Sequence, residues 1–288
     1  MQDSQELISR LNQTGKKLSK SHRKIAEYIV EHYDKAAFMT ASRLGEHVGV
    51  SESTVVRFAD TLGYDGYPSL QKALQELVRH RLTASQRFEM STDLPQSDVP
   101  EKVLKADMQN IRITLDMNDA ETFNRVVTLM RTARHIYILG LRSSAPLAEF
   151  MGFYMKFVTD RVSVVTAGIF DVFEQLSLIS EEDLLICISF PRYATRTVEA
   201  MNFAKSKHAH LVAITDGPMS PLHSLADYCL MAKSDMASFV DSLVAPISLI
   251  NALLVAMGLT SREEVTKRLN NLEEIWDDYN VFLGRDKG

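Results

Sequence analysis

Residues 40–58 read TASRLGEHVGVSESTVVRF, and their spacing predicts two short helices that cross at a tight bend. Gly45 falls where the two backbones approach most closely, and Gly49 where a left-handed residue ends the first helix. Ser51 is predicted to cap the second helix, with its hydroxyl accepting a hydrogen bond from the amide of Ser53 or Thr54. Apolar side chains occupy the positions that such a crossing buries: Leu44, Val48, Val50, Val55 and Phe58. This is the helix-turn-helix pattern.

The second helix of this pattern exposes small, polar or cationic side chains, which suit base edges and phosphates in a major groove. We therefore predict contact with double-stranded DNA through Ser51, Glu52, Ser53, Thr54 and Arg57. The plainer interpretation is an ordinary helical hairpin, which the combined match at cap, glycine and apolar positions disfavours.

A basic stretch precedes the bend. A helix predicted over residues 20–32, capped by Ser19, places Lys20, Arg23 and Lys24 for contact with DNA phosphates, although a solvated surface patch has the same pattern. Residues 1–85 carry 12 Lys and Arg against 10 Asp and Glu, or +2; the remainder carries 20 against 27, or −7, and the whole chain −5. The positive part is therefore the part predicted to meet DNA.

Length and composition restrict the remaining possibilities. A chain of 288 residues is long enough for about two domains. No apolar run reaches the roughly 18 residues that span a bilayer, and the start MQDSQELISR has no signal-like apolar region, so we expect a cytoplasmic protein without a membrane partner. Cys187 and Cys229 lie in apolar runs and are predicted to be buried free thiols. We predict no cofactor and no metal.

Residues 83–100, TASQRFEMSTDLPQSDVP, lose periodicity and are predicted to link a helical domain, 1–82, to a second domain, 101–288. In the second domain, apolar runs alternate with predicted helices, which indicates a doubly wound α/β fold with a parallel sheet. The predicted strands are His135–Gly140, Val162–Val165, Leu184–Ile188, Leu211–Ile214 and Tyr228–Met231. The predicted helices are 101–117, 119–131, 171–179, 195–207, 222–226, 241–259 and 262–283.

Ligands of such sheets bind at the carboxyl ends of the strands, here residues 140–144, 189–197 and 215–218. In the first loop, Ser143 and Ser144 lie at a predicted helix start; in the second, Arg192 and Arg196 accompany Thr195 and Thr197 at another. Hydroxyls and guanidiniums at helix starts predict a receptor for a small anion, unless the hydroxyls serve only as helix caps. The first loop lacks the G-x-G-x-x-G pattern of dinucleotide sites.

The order of these parts, with VSESTVVRFADTLGYDGY at 50–67, GLRSS at 140–144 and ISF at 188–190, resembles the RpiR/MurR family of bacterial transcription regulators. The resemblance implies a helix-turn-helix head and a sugar-isomerase (SIS) domain that binds a phosphorylated sugar, dimerises and changes the affinity for an operator. It also implies that Ser144 and Ser189 are ligand residues.

Two loops depart from the family pattern. Arg142 stands where the first loop of the family continues with glycine, and Arg192 replaces the glycine of the second loop. In the second loop, Pro191 has no N–H and Ala194 has no hydroxyl, so two parts of the family's phosphate cradle are missing. Because a guanidinium offers five donors to a carboxylate or phosphate, we predict a different anionic metabolite. The predicted effector site comprises Arg142, Ser143, Ser144, Ser189, Arg192 and Thr195.

The competing prediction is an isomerase-type enzyme with an accessory DNA-binding head. Its general base would be Glu149, Glu199, His135 or His223, but no paired acid and base emerges from the spacing, so we predict a regulator without catalytic residues. Residues 241–259 are apolar nearly all round and must be buried. Burial against a second copy predicts a homodimer or homotetramer on a palindromic operator, and burial in the core is the alternative.

Overall fold

The computed structural model describes residues 18–79, 84–89, 95–236 and 240–283. The chain divides into two compact units, Met1–Pro95 and Gln96–Gly288, each with its own hydrophobic core. Lys16 and Lys17, which adjoin the predicted phosphate contacts, lie outside the described residues.

The described part of the first unit is helical. Its helices are α1 Lys20–Glu31, α2 Tyr33–Ala36, α3 Ala41–Val48, α4 Glu52–Thr61, α5 Gly66–Arg79 and α6 Ala84–Glu89. Leu44, Val55 and Phe58 are fully buried in its core together with Ile25 and Leu70. The apolar spacing of residues 40–58 therefore produces the predicted crossing of α3 and α4.

The bend between α3 and α4 is built largely as predicted. Gly49 ends α3 with a φ of 75°, in the left-handed region that glycine adopts without steric cost. At Gly45, a Cβ would lie 2.7 Å from the carbonyl oxygen of Val50, so the crossing requires glycine there. The predicted hydrogen bonds of Ser51 are wrong: its Oγ pairs with Oγ of Ser53 at 3.0 Å and Oγ1 of Thr54 at 2.8 Å instead of with backbone amides. Hydroxyl partners on the first turn compete with the amides for the same oxygen.

The second unit contains the sheet. Its helices are α7 Val99–Met117, α8 Ala120–Thr132, α9 Ala145–Val158, α10 Val172–Gln175, α11 Thr195–Ser206, α12 Val244–Thr260 and α13 Arg262–Asp278. Its strands are β1 Ile136–Gly140, β2 Val162–Val165, β3 Leu184–Ile188, β4 His210–Thr215 and β5 Tyr228–Met231. Two 3₁₀ turns, Gln96–Asp98 and Arg142–Ser144, precede α7 and α9.

All strands pair in parallel, in the order β2-β1-β3-β4-β5. Side chains of α8, α9 and α12 pack on one face, and those of α10 and α11 on the other. Every residue of β1 and β3 is buried, as expected for central strands covered on both faces. The predicted doubly wound α/β fold is thereby confirmed.

Several predicted elements differ in extent. Residues 83–100 contain α6 and the start of α7, whose first turn accommodates Pro100 because proline needs no amide partner there. The helix predicted over 171–179 is only α10, and 222–226 form turns. Cys187 is buried, but Cys229 is partly exposed because it lies on the edge strand β5.

Helix α12 shows what buries most of the apolar residues 241–259, while pairing of this helix with a second copy stays a prediction. Its buried side chains join the core of its own unit: Ala245, Pro246, Leu249, Ile250, Leu253, Leu254 and Met257. Burial in the core therefore accounts for most of its apolar surface. Of the helices in the described ranges, none by itself has the length and apolar content to cross a membrane; α12 and α13 meet the test only as a pair bent by 104°.

Candidate functional sites

The predicted DNA-binding face lies on α4. Glu52, Ser53 and Arg57 are exposed and Thr54 is half-buried, while the opposite side of the helix is in the core. The Nε of Arg57 donates to the carbonyl oxygen of Ser53 at 3.2 Å, which holds the guanidinium along this face. Among the described residues no carboxylate lies within ion-pair distance of Arg57, so its charge is available to a phosphate or a base edge.

The basic start of α1 lies beside this face. Lys20, Arg23 and Lys24 are exposed, and the ring of His22 meets Phe58 of α4 edge-on, with centroids 5.6 Å apart. Burial, followed by the nearby charge of Arg57, lowers the pKa of His22 and favours the neutral ring. His22 is a contact between the basic start of α1 and helix α4 that the sequence did not reveal, because a single histidine carries no pattern.

In the second unit, two predicted ligand loops leave the sheet side by side. Gly140 ends β1 and pairs in register with Ile188, which ends β3, so the loops that follow begin at adjacent points of the carboxyl edge. A Cβ on Gly140 would lie 2.4 Å from the carbonyl oxygen of Ser144 and 2.7 Å from Cβ of Ala148. Glycine therefore permits the tight entry into α9.

The predicted ligand residues divide by burial. Ser144 and Ser189 are buried, while Arg142, Ser143, Arg192 and Thr195 are exposed. Thr197, in the first turn of α11, is 1% exposed, and its Oγ1 has no hydrogen-bond partner among the described residues. A buried hydroxyl without a partner costs free energy in the empty state and gains from a polar ligand.

Both loop arginines have the backbone conformation of glycine. Arg142 has a φ of 55° and Arg192 a φ of 66°, in the left-handed region where a side chain costs about 1–2 kcal/mol. Neither makes an ion pair with another described residue. Each turn thus holds a side chain in a conformation that favours glycine and presents a guanidinium without an ion-pair partner among the described residues, and local strain of this kind concentrates at functional sites.

Arg196 is placed differently from Arg192. Its Nη2 bonds Asp171 at 2.9 Å, its Nη1 bonds Glu199 at 3.2 Å, and its guanidinium lies over the ring of Phe173. Two carboxylates thus already hold the guanidinium of Arg196, and its place in the anion receptor stays a prediction.

A buried hydrogen-bond network joins the second loop to the third. Oη of Tyr193 donates to Oδ1 of Asp216, which also accepts from Oγ1 of Thr215, and Thr215 in turn contacts Oγ of Ser220. Burial, with the charge of Asp216 second, raises the pKa of Tyr193, so the phenol remains the donor. This network fixes the backbone next to Arg192. No motif in the sequence predicts it.

The residues considered as general bases do not assemble. His135 bonds Oγ of Ser163 at 2.8 Å at the amino end of the sheet, and Glu199 is paired with Arg196, whereas Glu149 and His223 are exposed. These four make no hydrogen bond with one another in the described structure. Within the same residues, no group of three or more His, Cys, Asp or Glu side chains is arranged to hold a metal ion.

Comparisons with known proteins match both units. A family model described as "Helix-turn-helix domain, rpiR family" matches residues 5–80, and one described as "SIS domain" matches residues 129–256. The chain is 26% identical over 278 residues to the Escherichia coli K12 protein named uncharacterized HTH-type transcriptional regulator YfhH, covering 93% of this chain and 97% of that protein. It is 27% identical to the HTH-type transcriptional regulator HexR of Pseudomonas aeruginosa, covering 91% and 90%.

Two solved structures agree with the architecture. The sugar isomerase domain of an RpiR transcription factor from Sphaerobacter thermophilus superposes with a TM-score of 0.59 at 27% identity, covering 62% of this chain and 99% of that one. NanR of Vibrio vulnificus, solved with ManNAc-6P, superposes with a TM-score of 0.56 at 20% identity, covering 94% and 98%. At that identity the NanR structure shows the fold alone.

Proposed function

Since the chain belongs to the RpiR family of helix-turn-helix transcriptional regulators with a SIS domain, we propose that a small anionic metabolite bound in its SIS domain controls its affinity for an operator. The metabolite is a sugar phosphate or another phosphate or carboxylate compound. Two copies of the chain present two α4 helices to a palindromic site in double-stranded DNA, with half-sites about one helical turn, roughly 10 base pairs, or a multiple of that apart.

The DNA-binding role is supported by the free charge of Arg57 on the exposed face of α4. Ser51, Glu52, Ser53 and Thr54 supply short polar groups on the same turn, and the start of α1 adds Lys20, Arg23 and Lys24. Short side chains let the helix backbone approach base edges, while the long basic ones reach phosphates. We infer the roles of the individual residues from this placement.

The effector role rests on one observation above all: Arg142 and Arg192 carry free guanidiniums on left-handed turns at the ends of neighbouring strands. Ser143 and Thr195 place exposed hydroxyls beside them, and Ser144 and Ser189 place buried ones. Guanidiniums bind carboxylates and phosphates in a bidentate manner and select anions from neutral sugars. The protein has a state that binds the operator tightly and one that binds it weakly. The ligand changes operator affinity because it binds these two states with different affinities.

Calorimetry with a panel of phosphorylated sugars and organic acids tests the effector role. We expect an acidic compound to bind the wild-type chain and Arg192→Gln to weaken it by about tenfold or more, because a charged hydrogen-bonded pair is worth about 1.5–3 kcal/mol. Arg196→Gln is the matched control, since its guanidinium is held by Asp171 and Glu199. Equal losses of affinity in the two variants would contradict the assignment, and so would neutral sugars that bind as tightly as acidic compounds.

We also infer that the chain regulates and does not isomerise. The curated relatives are named as regulators, and the four residues considered as general bases, Glu149, Glu199, His135 and His223, make no hydrogen bond with one another in the described structure. Incubation of the full chain with the metabolite identified by calorimetry tests this inference by following the ligand's carbon skeleton by NMR. Conversion of the ligand would establish an enzyme instead.

A further inference from the structure

Helix α7 carries an exposed apolar stripe. Leu104, Met108, Ile111 and Leu115 have exposed fractions of 62%, 62%, 40% and 76%. They are spaced by four, three and four residues, so they lie along one side of the helix. This is the spacing with which two helices pack knobs into holes.

The stripe is not the side by which α7 attaches to its own unit. That side carries Asn110 and Thr114, which are buried: Nδ2 of Asn110 donates to the carbonyl oxygen of Asp235 at 2.9 Å, and Oγ1 of Thr114 accepts from the amide of Lys233 at 2.9 Å. Polar contacts fix the attachment, while the larger apolar side chains face away. Four such residues in a row on a single exposed side form the kind of patch that marks an interaction surface.

We propose that this stripe pairs in parallel with the same stripe of a second copy of the chain. The charges beside it favour that partner and that direction. Asp107 lies on one flank, and Lys105 and Arg112 lie on the other. In a parallel pair, Asp107 of each copy faces Arg112 of the other, whereas an antiparallel pair brings Lys105 and Arg112 together.

The availability of these charges supports the pairing. Arg112 makes no ion pair within the described residues, and Asp107 uses one carboxylate oxygen to accept from Oγ of Ser242 at 2.6 Å, with no described partner on the other. Parallel pairing also puts the amino ends of both α7 helices, through which each DNA-binding unit is attached, at one end of the dimer. In this respect the proposal rests on the proposed function, because one palindromic operator must be met by two heads.

Light scattering of the full chain tests the interface. We expect the wild-type mass to be that of an even number of 32.5 kDa chains, two or four. We expect Leu115→Asp to halve this mass, because a carboxylate in the stripe cannot be buried against its partner. Leu178→Asp is the matched control: Leu178 is 79% exposed, but it lies between α10 and β3. A single-chain wild-type mass overturns the proposal, as does a Leu115→Asp protein that keeps the wild-type mass.

Cross-linking tests the direction. In a Cys229→Ser background, where only the buried Cys187 remains, Met108→Cys alone should form a covalent dimer under mild oxidation. In an antiparallel pair, residue 108 of one copy lies opposite residue 111 of the other. Cross-linking that occurs only in a mixture of Met108→Cys and Ile111→Cys proteins would therefore overturn the parallel arrangement. Operator binding measured on the same samples separates the two proposals. A wild-type dimer that binds no DNA would contradict the proposed regulator function. A Leu115→Asp protein that remains a dimer and still binds DNA would contradict only the proposed α7 interface.

Discussion

Oη of Tyr193 lies 2.5 Å from Oδ1 of Asp216, and this hydrogen bond joins the loop after β3 to the loop after β4. Tyr193 directly follows Arg192, whose left-handed backbone is costly, so the bond holds the strained turn from one side. The position of the guanidinium of Arg192 therefore depends on a tyrosine that need not touch the ligand.

Tyr193→Phe should lower the free energy of unfolding by about 1–3 kcal/mol, because the buried carboxylate of Asp216 loses a donor. It should also weaken effector binding, since the Arg192 turn loses its anchor. Urea unfolding and calorimetry measure the two effects. Tyr154→Phe is the control, because Tyr154 is exposed on α9 and donates no hydrogen bond within the described structure. An unchanged effector affinity in Tyr193→Phe would show that the turn holds without the bond.

Gly45→Ala should destabilise the helix-turn-helix more than Gly49→Ala. At Gly45 the new Cβ would lie 2.7 Å from the carbonyl oxygen of Val50, so the α3–α4 crossing must open, at a cost of about 1–3 kcal/mol. At Gly49 there is open space, and the cost is limited to the left-handed backbone, about 1 kcal/mol. Thermal unfolding and operator affinity of the two variants show which substitution costs more. A larger effect of Gly49→Ala would mean that the bend depends more on the left-handed backbone of Gly49 than on the close approach at Gly45.

The sequence predicted those parts of the structure that local spacing determines. Gly45, Gly49 and the apolar positions of α3 and α4 follow from helical periodicity, and near-continuous apolar runs predicted the strands of a parallel sheet that is covered on both faces. The carboxyl-end rule also located Arg142 and Arg192 in adjacent loops. These features need only short-range information along the chain.

Contacts between distant residues were beyond such reasoning. Arg196 and Arg192 lie four residues apart and look equivalent, but only the fold brings Asp171 to Arg196. Likewise Tyr193 and Asp216 meet because their two loops share one edge of the sheet. The apolar character of α12 indicated burial but could not identify the surface that covers it.

If Arg57 contacts a base, Arg57→Ala should weaken operator binding by about 1–3 kcal/mol and relax the sequence specificity of DNA binding. If Arg57 contacts a phosphate, the same substitution should reduce the salt dependence of DNA binding by about one counterion. Fluorescence anisotropy at several salt concentrations, with operator and random duplexes, distinguishes the two. Lys72→Ala on α5 is the control for net charge, because Lys72 is exposed outside the predicted face. Equal effects of the two substitutions would remove Arg57 from the interface.

At the amino end of the sheet, the buried carboxylate of Asp183 makes stability depend on pH. It accepts from Nε and Nη2 of Arg134 at 2.9 and 2.6 Å and from the amide of Ser180 at 2.8 Å. Burial alone would raise the pKa of Asp183, but these bonds outweigh it and hold the pKa below its usual value. A lowered pKa in the folded state stabilises the protein above the unfolded-state pKa of about 4, and this contribution is lost as the pH falls through the folded-state pKa.

Asp183→Asn should therefore be less stable than the wild type at pH 7, by about 1–3 kcal/mol, since the buried amide cannot accept all the hydrogen bonds that the carboxylate accepts from Arg134 and Ser180. The difference should shrink as the pH falls below about 4, because the carboxylate of the unfolded wild type then binds a proton while the folded one stays ionised, and it should be lost as the pH falls through the lowered folded-state pKa. Urea unfolding of both proteins between pH 7 and pH 3 measures this convergence. Asp160→Asn is the control, because the carboxylate of Asp160 is 79% exposed and its contact with Arg268 is long, at 3.4 Å. A difference between wild type and Asp183→Asn that stays constant over the whole range would mean that Asp183 contributes through packing and not through its charge.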